Sequence, residues 1–290
     1  MIVLNLKGGL GNQMFQYAAA RGLGLHLHQN VYLDLGFLEQ NRETDDFTAR
    51  SFALGIFKIK VLRFRTGDGN SLLPNLIKRW MGKTKKPLHV YDDGSDLNNV
   101  QLPAYLDGYF QSEKYFGDQR STLLKEFSFK LPAGDINEPL VKDILNTASV
   151  SIHFRRGDYV TKAAVAQVHG VCDVAYYEAA AATLSKQYRG LVFYVFTDDP
   201  IWVKEHFILR HNAAYKMVLV DSNHGIDSWK DMYLMSICKH NIIANSSFSW
   251  WGAWLNQHAE KTVIAPTRWF ADETVHAFEK DIVPAAWIRI

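Results

Sequence analysis

Residues 148–160 read ASVSIHFRRGDYV, and a change of character inside this stretch sets the fold. Val150 to Phe154 is a short β-branched and aromatic run with the length and composition of a buried strand. Arg155, Arg156, Gly157 and Asp158 follow at once, at the carboxyl end of that strand, where open α/β sheets carry their ligand-binding loops. Two adjacent guanidiniums at such a mouth point to an anion, because arginine offers a rigid fork of donors that matches phosphate oxygens. The other reading is a structural Arg–Asp pair that closes the loop. Both hold if Arg155 faces a ligand while Arg156 and Asp158 brace each other.

Downstream, helical patterns over 174–188, 201–207, 227–240 and 248–257 alternate with strand-like runs over 191–196, 216–220, 241–244 and 262–265. Alternation of this kind implies a parallel sheet flanked by helices. Upstream, residues 2–6 read as a strand, 7–13 as a glycine-rich loop, 14–29 as a helix and 31–35 as the next strand. The loop, Gly8-Gly9-Leu10-Gly11-Asn12-Gln13, fails the G-x-G-x-x-G dinucleotide pattern because Met14 stands where the third glycine belongs. Its glycines still let backbone amides approach a ligand, and the following helix start favours anions; a plain tight turn is the alternative. The Gly- and Pro-containing stretch 132–138 reads as a linker, which divides the chain into domains over 1–137 and 138–290.

Bulk properties narrow the function classes. With 290 residues, 48% of them apolar, the chain can bury a sizeable core in two domains, and its formal charge of +2 gives no sign of a nucleic-acid partner. Cys172 and Cys238 are too few for a disulfide framework or a cysteine-rich zinc site, which fits a reducing cytosol. The start, Met1 to Lys7, lacks a basic n-region and a long apolar core, so neither a signal peptide nor a membrane anchor is expected. Between Thr44 and Asn99 periodicity is lost. There, nine basic residues from Lys58 to Lys86 face one acid, Asp68, with Leu62, Phe64, Leu76, Ile77 and Trp80 interleaved. That stretch is either a solvated excursion or a patch that rests peripherally on an anionic membrane.

Three other features carry chemistry. Thr197-Asp198-Asp199-Pro200 follows a strand and has two readings: a carboxylate pair for a metal-bound sugar diphosphate, or the entry to a helix. Helix entry is favoured, since adjacent side chains on an extended chain point to opposite faces and Asp-Pro commonly begins a helix. Asn245, Ser246 and Ser247 sit between a short strand and a helix, where they can cap the helix and also present donors to a phosphate or ribose. Trp250, Trp251 and Trp254 share one helix flank and read as core. The eleven histidines show no HExxH pairing and none is assigned to metal; His153, beside Arg155, can donate to a phosphate or hold a loop. No G-x-S-x-G, Walker loop or spaced pair of catalytic carboxylates is present, which argues against hydrolases and kinases.

Taken together, HFRRGD at 153–158, GGLGNQMFQYA at 8–18 and DMYLMSICKHNIIANSSFSWW at 231–251 resemble the blocks of the α1,2-fucosyltransferases, whose first motif is HxRRxD and whose pattern is related to that of α1,6- and protein O-fucosyltransferases. The resemblance spans nearly the whole chain and implies an α/β fold of the GT-B type, two Rossmann-like domains facing across a cleft. It places the acceptor with residues 1–137 and GDP-fucose with residues 138–290. It implies transfer of L-fucose from GDP-β-L-fucose to the 2-hydroxyl of a terminal β-galactoside, with inversion and no metal or other cofactor. Carried over by position, Gly11 and Asn12 touch the sugar nucleotide, Asp231 pairs with guanine, and Ser246, Ser247 and Phe248 hold the nucleotide. A carboxylate suits guanine because its two oxygens can take both edge donors of that base. Arg155 is expected at the leaving phosphate with His153 in support; Asp158 is the catalytic candidate for the acceptor proton, although Arg156 beside it would keep it occupied. The missing anchor points to a bacterial, cytoplasmic form acting in surface-polysaccharide assembly on a lipid-linked glycan. The alternatives are a fucosyltransferase of α1,6 or protein linkage, and a nucleotide- or glycan-binding module without turnover.

Overall fold

The computed structural model describes residues 1–44, 47–60, 62–64, 88–91, 97, 100–272 and 281–290. Most of the basic stretch from Lys58 to Lys86 lies outside the described residues, and with it the membrane-patch reading. The chain divides into two compact units, Met1–Lys130 and Leu131–Ile290.

In the second unit the strand expected around Val150 runs as β6 (Ala148–Phe154), buried from Ser149 to Phe154. An uninterrupted buried run is what a central parallel strand needs, since helices cover both its faces. β6 pairs with β7 (Leu191–Thr197) on one side and β9 (His240–Ile242) on the other; β8 (Lys216–Val220), β10 (Val263–Ala265) and β11 (Ile288–Arg289) extend the sheet. All pairs are parallel, in the order β11-β10-β9-β6-β7-β8. Strands after β6 therefore run outward first on one side and then on the other, and the order reverses between β6 and β9. That reversal is the topological switch point of a doubly wound sheet, and the crevice beyond the carboxyl ends of β6 and β9 is where such sheets bind ligands.

The first unit repeats the plan with β1 (Ile2–Asn5), β2 (Val31–Asp34), β3 (Arg63–Phe64), β4 (Leu88–Tyr91) and β5 (Ala104–Asp107), all parallel in the order β3-β2-β1-β5-β4. Its switch point lies between β1 and β5. Two of its strands, β3 and β4, come from the stretch whose periodicity the sequence lost. The first helix, α1 (Leu10–His26), begins earlier than its glycines suggest: Gly9 is the N-cap, so Gly11 and Asn12 belong to the first helical turn and not to a loop. Glycine at a cap is well tolerated, and the first N–H groups of a helix have no intrahelical partner in any case.

Other helices follow the expected alternation: α2 (Glu138–Asn146), α5 (Val174–Gln187), α6 (Pro200–Val203), α7 (Trp229–Ser236) and α8 (Ser247–Leu255). Two short ones, α3 (Gly157–Thr161) and α4 (Ala163–His169), were not legible in the pattern. Trp250, Trp251 and Trp254 are buried in the core, and Trp250 Nε1 donates to the Ile282 carbonyl at 2.7 Å. Residues 132–138, read above as a linker, are grouped with the second unit, which begins at Leu131, and are tied there by Asp135 to Lys230 at 2.9 Å and Asn137 to Asn223 at 2.8 Å. Among the described residues no helix is long and apolar enough to cross a membrane.

Candidate functional site

Each site residue expected in the second half lies at, or just beyond, the carboxyl edge of the second sheet. β6 delivers His153 and Arg155, β7 delivers Asp198 and Asp199, β9 leads into Ser246, Ser247 and Phe248, and the loop after β8 leads to Asp231 on α7. From β9 to β8 is three strand spacings, about 14 Å, the reach of an extended nucleoside diphosphate.

Arg155 is the centre of an ion cluster. Its Nη2 donates to Asp158 Oδ1 at 2.5 Å and its Nη1 meets Asp198 Oδ2 at 2.7 Å. Asp158 therefore braces Arg155, not Arg156 as the sequence suggested. The reason is local: α3 starts at Gly157, which sets Asp158 in its first turn, three residues from Arg155. Arg156 points the other way, with Nε on Asp199 at 3.0 Å and its guanidinium carbon 3.6 Å from the centre of the Trp202 ring. Burial works against the charge on Arg155, but Asp198 and Asp158 outweigh it and hold the guanidinium more firmly protonated than usual. The side chain is 23% exposed at the sheet edge, so the fork is held in place and still reachable. Each Nη carries two N–H groups, and only one of each is used by these carboxylates.

Asp198 also accepts the amides of Arg156 and Gly157 through Oδ1, at 2.8 and 3.0 Å. Gly157 is required by that approach: a Cβ there would sit 2.5 Å from Asp198 Oδ2. Asp199 caps α6 by accepting from the Trp202 amide, as helix entry demands. Among the described residues no group of three or more His, Cys, Asp or Glu is placed to hold a metal ion.

His153 is 5% exposed, and its Nδ1 has no partner among the described residues. Burial is the main cause that lowers its pKa, to about 4, with Asp198 opposing and Arg155 assisting, so the ring is neutral near pH 7. Its ring lies 5.9 Å from that of Phe248. Ser246 caps α8 by accepting from the Phe248 amide at 3.3 Å. Asn245, by contrast, turns its amide nitrogen inward to the carbonyls of His169 and Trp269, at 2.9 and 3.1 Å. Asp231 is part-buried; burial raises its pKa to about 7, although Asn223 donates to its Oδ1 at 2.7 Å.

Gly11 and Asn12 belong to the first unit, apart from the other expected residues in the chain's division. Asn12 Oδ1 accepts from Gln111 Nε2 at 2.7 Å. Gly8, at φ +77, makes the turn that only glycine enters easily. The sequence reading missed two residues in this block. Gln13 bonds the carbonyls of Gly8 and Ser51 and the amide of Ala53, while Gln16 closes on both the amide and the carbonyl of Lys7. Both are fully buried, and a buried glutamine surrounded by loop backbone is a clamp on the loop. The hint available in the sequence was two amides on the apolar flank of a helix.

The profile of the family described as glycosyl transferase family 11 matches residues 1–290. Among the relatives is an alpha-1,2-colitosyltransferase of Escherichia coli, 33% identical over 301 residues, covering 100% of this chain and 99% of the relative. A galactoside 2-alpha-L-fucosyltransferase, Sec1 of Mus musculus, is 27% identical over 88% of this chain and 64% of its own length. Among solved structures, that of NodZ, an alpha-1,6-fucosyltransferase soaked with GDP-fucose, superposes with a TM-score of 0.51 over 88% of this chain and 92% of that one, at 13% identity. That likeness bears on the fold, and with the two parallel sheets it identifies the architecture as GT-B.

Proposed function

We propose, for a chain that belongs to glycosyl transferase family 11, that it transfers L-fucose from GDP-β-L-fucose to the 2-hydroxyl of a terminal β-galactoside, with inversion and without a metal ion. The observation that carries this reading is the switch point of the second sheet, where HFRRGD, spanning the end of β6, and Asn-Ser-Ser-Phe, following β9, stand at the carboxyl ends of adjacent strands. The linkage is supported by relatives named for α1,2 transfer, one of them matched end to end.

In this account the guanine lies against Asp231 and the diphosphate runs back along the sheet edge to Arg155. As the glycosidic bond breaks, negative charge grows on the departing phosphate. The remaining N–H groups of Arg155 meet that charge, and a preorganised donor of this kind is commonly worth about 3 kcal/mol. Asp158 and Asp198 fix the fork, and Ser246, Ser247 and the neutral His153 add donors. Asp158 is thereby committed to Arg155, so it is a positioning group in this account and not the base for the acceptor proton. Asp198 and Asp199 are engaged with guanidiniums, backbone amides and a helix cap, which supports protein cations in place of a metal. Gly11 and Asn12 are kept as further donor contacts on the sequence pattern alone.

The colitosyltransferase relative favours a second reading of the donor. Colitose is L-fucose without its 3-hydroxyl, so the same diphosphate chemistry serves both sugars. A site built to bond that hydroxyl rejects the deoxy sugar by orders of magnitude, whereas an apolar lining does not. The acceptor is a β-galactoside glycan, and a lipid-linked one would set the enzyme in the cytoplasm with its basic stretch on anionic lipid; co-sedimentation equally poor with and without anionic vesicles would remove that last element.

The test is incubation with lactose and either GDP-fucose or GDP-colitose, with and without chelator, followed by linkage analysis. The expected result is a 2-O-fucosylated product and free GDP in equal yield with chelator. Linkage to another hydroxyl, chelator-sensitive transfer, preference for GDP-colitose, or bound nucleotide without free GDP would each replace part of the proposal.

A further inference from the structure

Behind Asp231 lies a chain of side chains more deeply buried than the carboxylate they support. Asn223, 7% exposed, donates from Nδ2 to Asp231 Oδ1 at 2.7 Å. Its Oδ1 accepts from Asn137 Nδ2 at 2.8 Å, and Asn137 is 3% exposed. Asn137 is itself fixed at both ends: its Oδ1 accepts from Ser222 Oγ at 3.0 Å, and its Nδ2 also reaches Asp135 Oδ1 at 2.8 Å. Asp135 is anchored by Lys230, which pairs with Asp227 as well. Three separate segments, the run before α2, the loop after β8 and the first turn of α7, thus meet in one polar relay.

The relay has a direction. An ionised carboxylate only accepts, so Asp135 holds the amino end of Asn137 toward itself, and the Ser222 hydroxyl holds the oxygen end. The amino group of Asn137 then requires the oxygen of Asn223, and Asn223 is left with its amino group toward Asp231. A flipped Asn223 would set two amino groups against each other and an oxygen against a carboxylate. Such an arrangement costs more in a buried place than in water, so the orientation is strongly held.

We infer that Asn223, oriented by Asn137, is a positioning residue that holds the Asp231 carboxylate in the plane needed to take both edge donors of guanine, and so sets the preference for guanine over hypoxanthine. This rests on the reading of Asp231 as the guanine-binding carboxylate. Guanine offers a ring N–H and an exocyclic amino group on one edge; hypoxanthine offers the ring N–H alone. A carboxylate that is free to rotate keeps one bond and loses the second. The donated N–H of Asn223 also favours the ionised form against burial; the titratable groups acting on Asp231 are His224, which favours ionisation, and Asp221, which opposes it.

The test is binding of GDP and IDP to the full chain by calorimetry between pH 5.5 and 9, for Asn223→Ala, Asn137→Ala and Asp231→Asn beside wild type, with thermal melts to confirm folding. Asn223→Ala is expected to weaken GDP about tenfold, one charged hydrogen bond's worth, to leave IDP within about twofold, and to move the pH midpoint of GDP binding upward. Asn137→Ala, one step removed from Asp231, is expected to act in the same direction and keeps the test open if Asn223→Ala does not fold. Equal weakening of GDP and IDP, or an unmoved midpoint, with Asp231→Asn still selective against GDP, overturns the relay and spares the reading of Asp231. An unchanged GDP-to-IDP ratio in Asp231→Asn overturns both.

Discussion

Replacing Arg155 by lysine keeps a positive charge at the end of β6 and removes the fork. In the native arrangement two different nitrogens of one rigid plane hold Asp158 at 2.5 Å and Asp198 at 2.7 Å, and each retains an N–H for a phosphate oxygen. A lysine ammonium is a single point on a flexible stem, so it cannot satisfy both carboxylates and still present a fixed donor to the leaving group. The ground-state diphosphate can keep a looser contact with the ammonium, whereas the charge that develops on bond breaking needs the donor in place beforehand. Losing about 3 kcal/mol of that stabilisation corresponds to a fall in turnover on the order of 10²-fold. GDP affinity should fall only a few-fold, by roughly 1 kcal/mol. Steady-state release of GDP in the presence of lactose gives the turnover and calorimetry gives the affinity. A lysine variant within about threefold of wild-type turnover, or one whose loss lies wholly in GDP binding, would refute the argument.

Gly157→Ala puts a methyl 2.5 Å from Asp198 Oδ2 and should push that carboxylate off Arg155; turnover is expected to fall with the thermal midpoint little changed, measured in the same assay beside a melt. Burial raises the pKa of Asp231 from about 4 in the unfolded chain to about 7 in the fold, so the folded state binds the extra proton between these values and its stability falls as pH rises through that window. Asp231→Asn should remove that part of the pH dependence, so the difference between wild-type and variant melts grows from pH 4 to pH 7 and then levels off. His153 works in the opposite sense: its pKa is lowered to about 4, so its contribution is present above about 6.5 and lost as pH falls toward 4, and His153→Phe should flatten the acid side of the stability curve. Trp250→Ala empties a fully buried site and leaves the Ile282 carbonyl without its donor, which should cost about 3–5 kcal/mol in denaturant unfolding.

The parts of this molecule that were legible in the sequence are those where burial writes a pattern. β6 and β7 are almost wholly buried, so their apolar runs declared them, and the helices between strands of the second sheet followed by alternation. The tryptophans of α8 were likewise readable as core. α3 and α4 were not legible, because they are short, lie at the sheet edge and carry exposed residues such as Val160. β4 was hidden in a stretch dominated by basic residues, and only its pairing with β5 identifies it. At the site, sequence adjacency suggested that Arg156 and Asp158 would pair, but the start of α3 turns Asp158 back to Arg155 and leaves Arg156 to Asp199 and Trp202. Asn137 and Asn223 are 86 residues apart and belong to no motif, so a polar relay of that kind leaves no trace in spacing. The clamps Gln13 and Gln16 stood in a recognised block, and only the backbone they grip shows their purpose.

The most direct test of the whole account is a crystal structure of the protein with GDP. The account predicts the β-phosphate within hydrogen-bond distance of the Arg155 guanidinium and the guanine edge on the Asp231 carboxylate, along the carboxyl edge of the second sheet. A diphosphate seated away from Arg155, or a guanine that meets some other group, would contradict it.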